Sequence, residues 1–406
     1  MKKDHALAMV EQAFNCGVKK GDISESTAKR YFGQVKTFFN TTLDEIKEQA
    51  TDKKSRDAYN PKFWKAEWVE KHIDGLLERF HARSDKKPVS GSHVENCIHA
   101  FGKLQEIVKE HGVWKKNGIE KVRVGLKGSV EEGTGYLYKI YKEEATMHHD
   151  ERTSMKATDQ EYRMIVNNID KVIPKTNLNY ETVKNIILAQ RHTGGRITAE
   201  INLKARNIDL EKMTKYYEKD KNNFSRKVPM DMSQKLFYAN LTRGKADGSP
   251  LFPLFDKKGK QMSKEAASKY MQETYKKIAE KAGLVERDEK GNVTKRYTSH
   301  STRRCFAQKL YDSTKFTSKK DLWKKIRNYV NLQGSNKEKI DQRIENERKR
   351  LNYYRLKKGL PMKPFTWDQM RKLYVMLHLG HSRTDTVGRC YVKLDPPLKR
   401  NFKKSN

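Results

Sequence analysis

Four short segments of this chain hold the side-chain types that metal-free chemistry on a phosphodiester requires. They are TGGRITAEINLKARNID (193–209), KNNFSRKVP (221–229), HSTRRCFAQKL (300–310) and LGHSRTDTVGRCY (379–391). Transesterification at phosphorus needs a nucleophile, cations on the non-bridging oxygens and an acid for the leaving oxygen. Arginine, lysine, histidine and tyrosine supply each of these. Taken singly, every segment has a blander reading: Arg196 is an ordinary charge after a helix end, and lysines in so basic a chain usually face solvent. Other chemistries lack their motifs. There is no G-x-x-x-x-G-K and no H-E-x-x-H, and Gly133 and Gly135 lack the third glycine and flanking strand of a dinucleotide fingerprint. His148, His149 and Asp150 have no partners at ligand spacing and read as a solvated linker. Cys16, Cys97, Cys305 and Cys390 form no C-x-x-C pair, so neither a zinc knuckle nor a disulfide framework is indicated.

The elements that must position these residues follow from periodicity. Residues 24–40 place Ala28, Tyr31, Phe32, Val35, Phe38 and Phe39 on one face of a helix begun by serine caps. In SGSHVENCIHAFGKLQEIV, Ser92 and Glu95 have capping-box spacing, and Ile98, Phe101, Leu104, Ile107 and Val108 recur at helical intervals. Residues 1–112 therefore read as a helical domain whose aromatic residues form a core. A glycine-punctuated basic stretch, 113–154, reads as a linker before Thr158 and Glu161 open a new helix. Beyond it, MTKYY and FSRKVPM are β-prone runs around a turn, and further helices span 263–283, 300–313, 321–331, 336–357 and 366–379. The fold class expected is mainly α with a small antiparallel β-sheet: a helical N-terminal domain, a mixed α+β domain over 155–395 and a basic tail over 396–406.

The chain has 406 residues, with 86 Lys and Arg against 51 Asp and Glu, a net charge of +35. A polyanion, here nucleic acid, is the partner that such a charge fits. No stretch approaches the ~18 apolar residues of a membrane span, and the N-terminus lacks the apolar region of a signal peptide. No membrane partner is expected, and a cytoplasmic or nuclear location is, nucleoid-associated if the source is prokaryotic.

Taken together, in their order and spacing, the four segments resemble the catalytic domain of the tyrosine recombinases of the phage-integrase family. That family's pattern is an arginine after T-G-x, a hairpin lysine, H-x-x-R, L-G-H and a final tyrosine. Arg196 falls on the first arginine, with Ala199 where the family usually carries glutamate. Lys221 stands at the hairpin lysine's distance from Val228 and Pro229, with Lys219 as its rival on the same loop. His300 and Arg303 take H-x-x-R. His381 follows Gly380 in L-G-H, and Tyr391 comes ten residues later, one beyond the family's usual place, where this chain has Cys390.

The resemblance implies site-specific cleavage and rejoining of double-stranded DNA through a 3′-phosphotyrosyl link, with neither metal nor ATP as cofactor. Tyr391 would attack, Arg196 and Arg303 would clamp the phosphate, and Lys221 would protonate the leaving 5′-oxygen. His300 would help remove the tyrosine proton, and His381 would bond a phosphate oxygen. It further implies an N-terminal core-site-binding domain, a clamp around the duplex and a homo-tetramer on paired sites. A telomere resolvase making hairpin ends by the same chemistry, and a non-catalytic DNA-binding relative, remain open; a carboxylate-based metal nuclease has no acidic trio to support it. Arg303 and His381 are 78 residues apart, far more than the family's usual spacing. An insertion over 314–365 is implied, read from its charge as a helical hairpin projecting from the catalytic core and serving as a DNA clamp, a protomer contact or a solvated decoration.

Overall fold

The computed structural model describes residues 1–80, 89–120, 122, 157–220, 224–289 and 291–394. Gly133, Gly135, His148, His149, Asp150, Lys221 and the basic tail, all singled out from the sequence, lie outside these described residues. The chain divides into two compact units, Met1–Arg152 and Thr153–Asn406.

The described part of the first unit is helical: α1 (Lys3–Lys20), α2 (Glu25–Phe38), α3 (Asp44–Glu48), α4 (Lys53–Arg56), α5 (Ala66–Phe80) and α6 (Gly91–His111). Ser24 caps α2 by accepting the Thr27 N–H at 3.3 Å, and the expected apolar stripe faces inward. Ala28, Val35, Phe38 and Phe39 are buried, with Tyr31 and Phe32 packed at the margin. Phe38 meets Phe39, Trp64 and Phe101 edge to face; these aromatic rings are core. The start of α6 differs from expectation. Ser90, not Ser92, accepts the His93 N–H, and Glu95 bonds His99 one turn on at 3.3 Å. A serine stands at both positions, and spacing alone did not choose between them.

The second unit is mixed. Thr158 and Glu161 form the expected capping box on α7 (Asp159–Val166), followed by α8 (Tyr180–Thr193) and α9 (Ile197–Ile201). Strands β1 (Ile208–Asp209), β2 (Thr214–Asp220) and β3 (Phe224–Pro229) make an antiparallel sheet in that order. Tyr217 pairs with Arg226 and Lys215 with Val228, and the register shifts between Tyr217 and Asp220. By strand parity Lys215, Tyr217, Arg226 and Val228 all turn inward, and all four are buried. Helices α10 (Met232–Thr242) and α11 (Lys264–Lys281) precede a second hairpin, β4 (Val285–Arg287) with β5 (Val293–Arg296).

Then come α12 (Ser299–Asp312), α13 (Lys319–Leu332), α14 (Lys337–Leu351), α15 (Tyr353–Lys357), α16 (Trp367–Leu379) and α17 (Thr384–Cys390). The inserted segment does not project from the unit. Leu322, Ile326, Tyr329, Val330, Ile340 and Ile344 are buried in one cluster with Leu373, Met376 and Val387. Tyr329 donates to the Leu377 carbonyl at 3.0 Å, and Gln333 brackets β3 through the Lys227 N–H and carbonyl, each at 2.9 Å. Leu322, Ile326, Tyr329 and Val330 recur at helical intervals, and this stripe prevails over the surrounding charge.

Candidate active site

The turn after α8 is built on two glycines. Gly194 caps the helix with φ +61°, a left-handed conformation that glycine adopts without strain. A Cβ on Gly195 would strike the Glu200 carboxylate and the Tyr217 hydroxyl, so only glycine fits there. Beneath it lies a closed buried network. Lys215 donates to Glu200 at 2.6 Å, Thr193 at 2.9 Å and Tyr238 at 2.7 Å, and Tyr217 donates to Glu200 at 2.6 Å. Gln190 donates to the Gly195 carbonyl at 3.0 Å. This network fixes the turn, and Arg196 leaves it as the residue before α9. Ala199 is buried as an apolar residue; the carboxylate beneath the turn belongs to Glu200, which is 0% exposed.

Arg196 is paired with Asp220, the last residue of β2. Asp220 also accepts from Arg226 Nε at 3.1 Å. Arg226 is wholly buried; it donates to the His378 carbonyl and lies 4.6 Å from the Tyr217 ring centroid. Gly380, with φ +65°, leaves room for it, since a Cβ there would come within 2.9 Å of Arg226 Nε.

Arg303 is the centre of the arrangement. It is 0% exposed and donates to the carbonyls of Gly194 and Leu379. Its Nη2 lies 3.3 Å from His381 Nε2. A guanidinium can only donate, so His381 accepts there and, when neutral, carries its proton on Nδ1. Tyr391 covers both groups: its ring centroid lies 5.6 Å from the Arg303 guanidinium and 4.8 Å from the His381 ring. Burial draws the Arg303 pKa down to about 10, with Tyr391 and Asp220 opposing that shift and Arg196 and Arg226 adding to it. It remains a cation at neutral pH.

The structure thus brings Arg196, Arg303, His381 and Tyr391 into one neighbourhood. His300 is exposed on the first turn of α12, one turn before Arg303 and on the same helical face. Cys390 is 2% exposed in the core. Sequence reasoning missed Glu200, Asp220, Arg226 and Arg343. Burial draws down the pKa of Arg343, half-buried on α14, with Tyr329 and Asp220 opposing that shift and Arg226 and Arg196 adding to it. Strand parity was the one signal for Arg226, which pairs with an inward tyrosine. No group of three or more potential metal ligands is found among the described residues, and none of their helices is long and apolar enough to cross a membrane.

A helix-rich unit with small antiparallel sheets, carrying two arginines, a histidine and a tyrosine in one cluster, defines the class of fold. Residues 156–315 match the model of the phage integrase family. The matched segment holds Arg196, His300 and Arg303 and ends where the inserted segment begins. Among solved structures, the chain is similar to the XerH site-specific recombinase bound to a palindromic difH substrate, at 16% identity and TM-score 0.48, covering 91% of this chain and 76% of that one. It is similar to a lambda integrase dimer bound to a COC′ core site, at 13% identity and TM-score 0.46, covering 77% and 91%. It is also similar to the Tn1549 transposon integrase in complex with transposon right end DNA, at 13% identity and TM-score 0.42, covering 75% and 87%. A search of curated protein sequences returned no match.

Proposed function

We propose that this protein is a site-specific DNA recombinase that cleaves and rejoins strands through a 3′-phosphotyrosyl intermediate on Tyr391. The observation that carries the reading is the packing of Tyr391 against His381 of its own segment and against Arg303, which lies far earlier in the chain. The Tyr391 oxygen attacks phosphorus, the new O–P bond forms and the P–O5′ bond breaks. The phenolic proton passes towards His300, and Lys221 protonates the departing 5′-oxygen. Arg196 and Arg303 stabilise the transition state with forked donors, which suit a phosphate better than a lysine point charge. Arg303 is fully buried, so a phosphate reaches it only after Tyr391 and His381 shift from above it.

A net charge of +35 supplies the attraction to duplex DNA. Catalysis proceeds without metal or ATP, on a homo-tetramer spanning paired sites in the cytoplasm. Hairpin-forming telomere resolution uses the same chemistry and differs only in which ends are joined.

The test is covalent capture. Wild-type protein is incubated in EDTA with a library of randomised, nicked duplexes, and protein-linked DNA is recovered and sequenced. Enrichment of one sequence joined at Tyr391 through a 3′-phosphate is expected. No covalent product, or one that requires a divalent metal, overturns the reading.

A further inference from the structure

The segment inserted between Arg303 and His381 reaches the helix that delivers Tyr391. Helix α17 follows Arg383, whose side chain makes no capping bond; Asp385 accepts the Thr386 N–H at 2.8 Å, which leaves the Thr384 N–H in need of an acceptor. The acceptor comes from α14. Glu347 Oε1 accepts the Thr384 backbone N–H at 2.8 Å and also the Thr384 hydroxyl. Arg350 holds both carboxylate oxygens of Glu347, with Nε at 2.7 Å and Nη2 at 2.8 Å. Arg350 also lies 3.9 Å from Asp385, itself paired with Arg383 at 3.2 Å and Arg389 at 3.1 Å. Glu347 is 1% exposed and Thr384 3%, so water does not substitute for these bonds. At the other end of the helix, the Tyr391 N–H bonds the Val387 carbonyl at 3.0 Å. Val387 is buried in the same cluster as Ile340 and Ile344 of α14.

A helix of seven residues is too short to hold itself together in water, where isolated helices under ~12 residues are marginal. Its position is set by what grips it. We propose that Glu347 is a positioning residue for the nucleophile: the inserted helix fixes the start of α17, whose far end presents Tyr391 to Arg303 and His381. Burial alone would raise the Glu347 carboxyl, but the Arg350 and Thr384 hydrogen bonds outweigh it and hold the group below the usual carboxylate range. The anchor is therefore an anion at neutral pH, suited to the N–H end of a helix. This inference rests on Tyr391 as the nucleophile.

The experiment uses the full chain and the nicked duplex recovered by covalent capture. Glu347→Ala and Glu347→Gln are compared with wild type and Tyr391→Phe in two measurements. The first is the rate of covalent attachment at saturating DNA, with affinity measured alongside. The second is amide hydrogen exchange of the free protein. The attachment rate is expected to fall at least ~10-fold, in line with the cost of small misplacements of reacting groups, while affinity stays within about twofold. Exchange should accelerate over 384–391 and stay unchanged over 299–312. Wild-type rates with wild-type exchange overturn the proposal; so does faster exchange throughout the unit, the mark of a merely structural role. Should Glu347→Ala fail to fold, Glu347→Gln decides, because it keeps the side chain's shape and an oxygen for Thr384. Covalent attachment by Tyr391→Phe would overturn the nucleophile assignment and this inference with it. A dead Tyr391→Phe beside a fully active Glu347→Gln would overturn this inference alone.

Discussion

Replacing Glu200 by glutamine should loosen the Arg196 turn by an amount that the network beneath it sets. Lys215 and Glu200 are both 0% exposed and 2.6 Å apart. Glu200→Gln leaves the Lys215 ammonium buried among Thr193, Tyr238 and Tyr217 without its counter-ion. Breaking a buried pair from one side costs about 3 to 5 kcal/mol, so amide protection over Thr193–Ile201 and Thr214–Tyr217 should fall at least ~10²-fold. The loss should depend on pH. Burial draws the Lys215 pKa from 10.5 down to about 8, with Glu200 opposing the shift. Between those values the unfolded chain binds more protons than the folded one, so this group's contribution rises with pH across that window and is lost as pH falls through the folded value. Without Glu200 the folded value drops further, and the rise should begin at lower pH. Hydrogen exchange by mass spectrometry over pH 7 to 10, corrected for intrinsic rates, reads both effects. Adding Lys215→Met should restore at least half of the lost protection, since a neutral, apolar replacement removes the stranded charge. A single variant costing under about 1 kcal/mol, or a double variant worse than the single, would refute the reasoning.

Other outcomes follow from the same geometry. Tyr391→Phe should abolish covalent attachment while DNA affinity stays within a few-fold. Cys390→Ser should retain attachment and lose about 1 to 3 kcal/mol of stability for a hydroxyl buried in the core; the reverse pattern would move the nucleophile by one residue. Arg196→Lys and Arg303→Lys should each slow cleavage at least ~10-fold, because a forked donor becomes a point charge, and near-normal rates in both would remove them from the phosphate clamp. Lys319, Lys320, Lys324 and Lys325 are exposed on α13. If this face lies on DNA, changing all four to glutamine should reduce the salt slope of binding by about one per lost contact, and an unchanged slope would assign it to solvent. Excising the whole insertion would be a poor test, because Leu322, Ile326 and Ile344 belong to the core.

Legibility in the sequence tracked how far each feature depends on local pattern. Capping at Ser24 and Thr158, the apolar face of α2 and the β2–β3 hairpin rest on neighbouring residues, and each was readable in one dimension. The β4–β5 hairpin was not: its strands, VER and VTKR, are three and four residues long and mostly polar, too short for an alternation to register. Arg196, Arg303, His381 and Tyr391 could be named from order and spacing, yet their contacts could not. Asp220 and Arg226 stayed hidden because one acidic and one basic residue in a chain with 137 charged residues carry no mark of burial. Ala199 was legible as a departure; that a carboxylate one residue later fills the space under the turn needed the packing of Lys215 and Tyr217. The inserted segment was misjudged because its charge is conspicuous and its four-residue stripe is not.

The way Arg303 is held has a consequence for how the site greets an anion. Its two carbonyl partners, Gly194 and Leu379, stand at the C-terminal ends of α8 and α16. Each helix end carries a partial negative charge from its aligned peptide dipoles, roughly half an elementary charge. Arg196 and Arg226, by contrast, share the full negative charge of Asp220. The guanidinium of Arg303 is therefore solvated by protein dipoles without being cancelled by a carboxylate. Among the described residues no carboxylate is hydrogen-bonded to Arg303, so an incoming phosphate meets a guanidinium held by carbonyl dipoles and has no bonded carboxylate of those residues to displace.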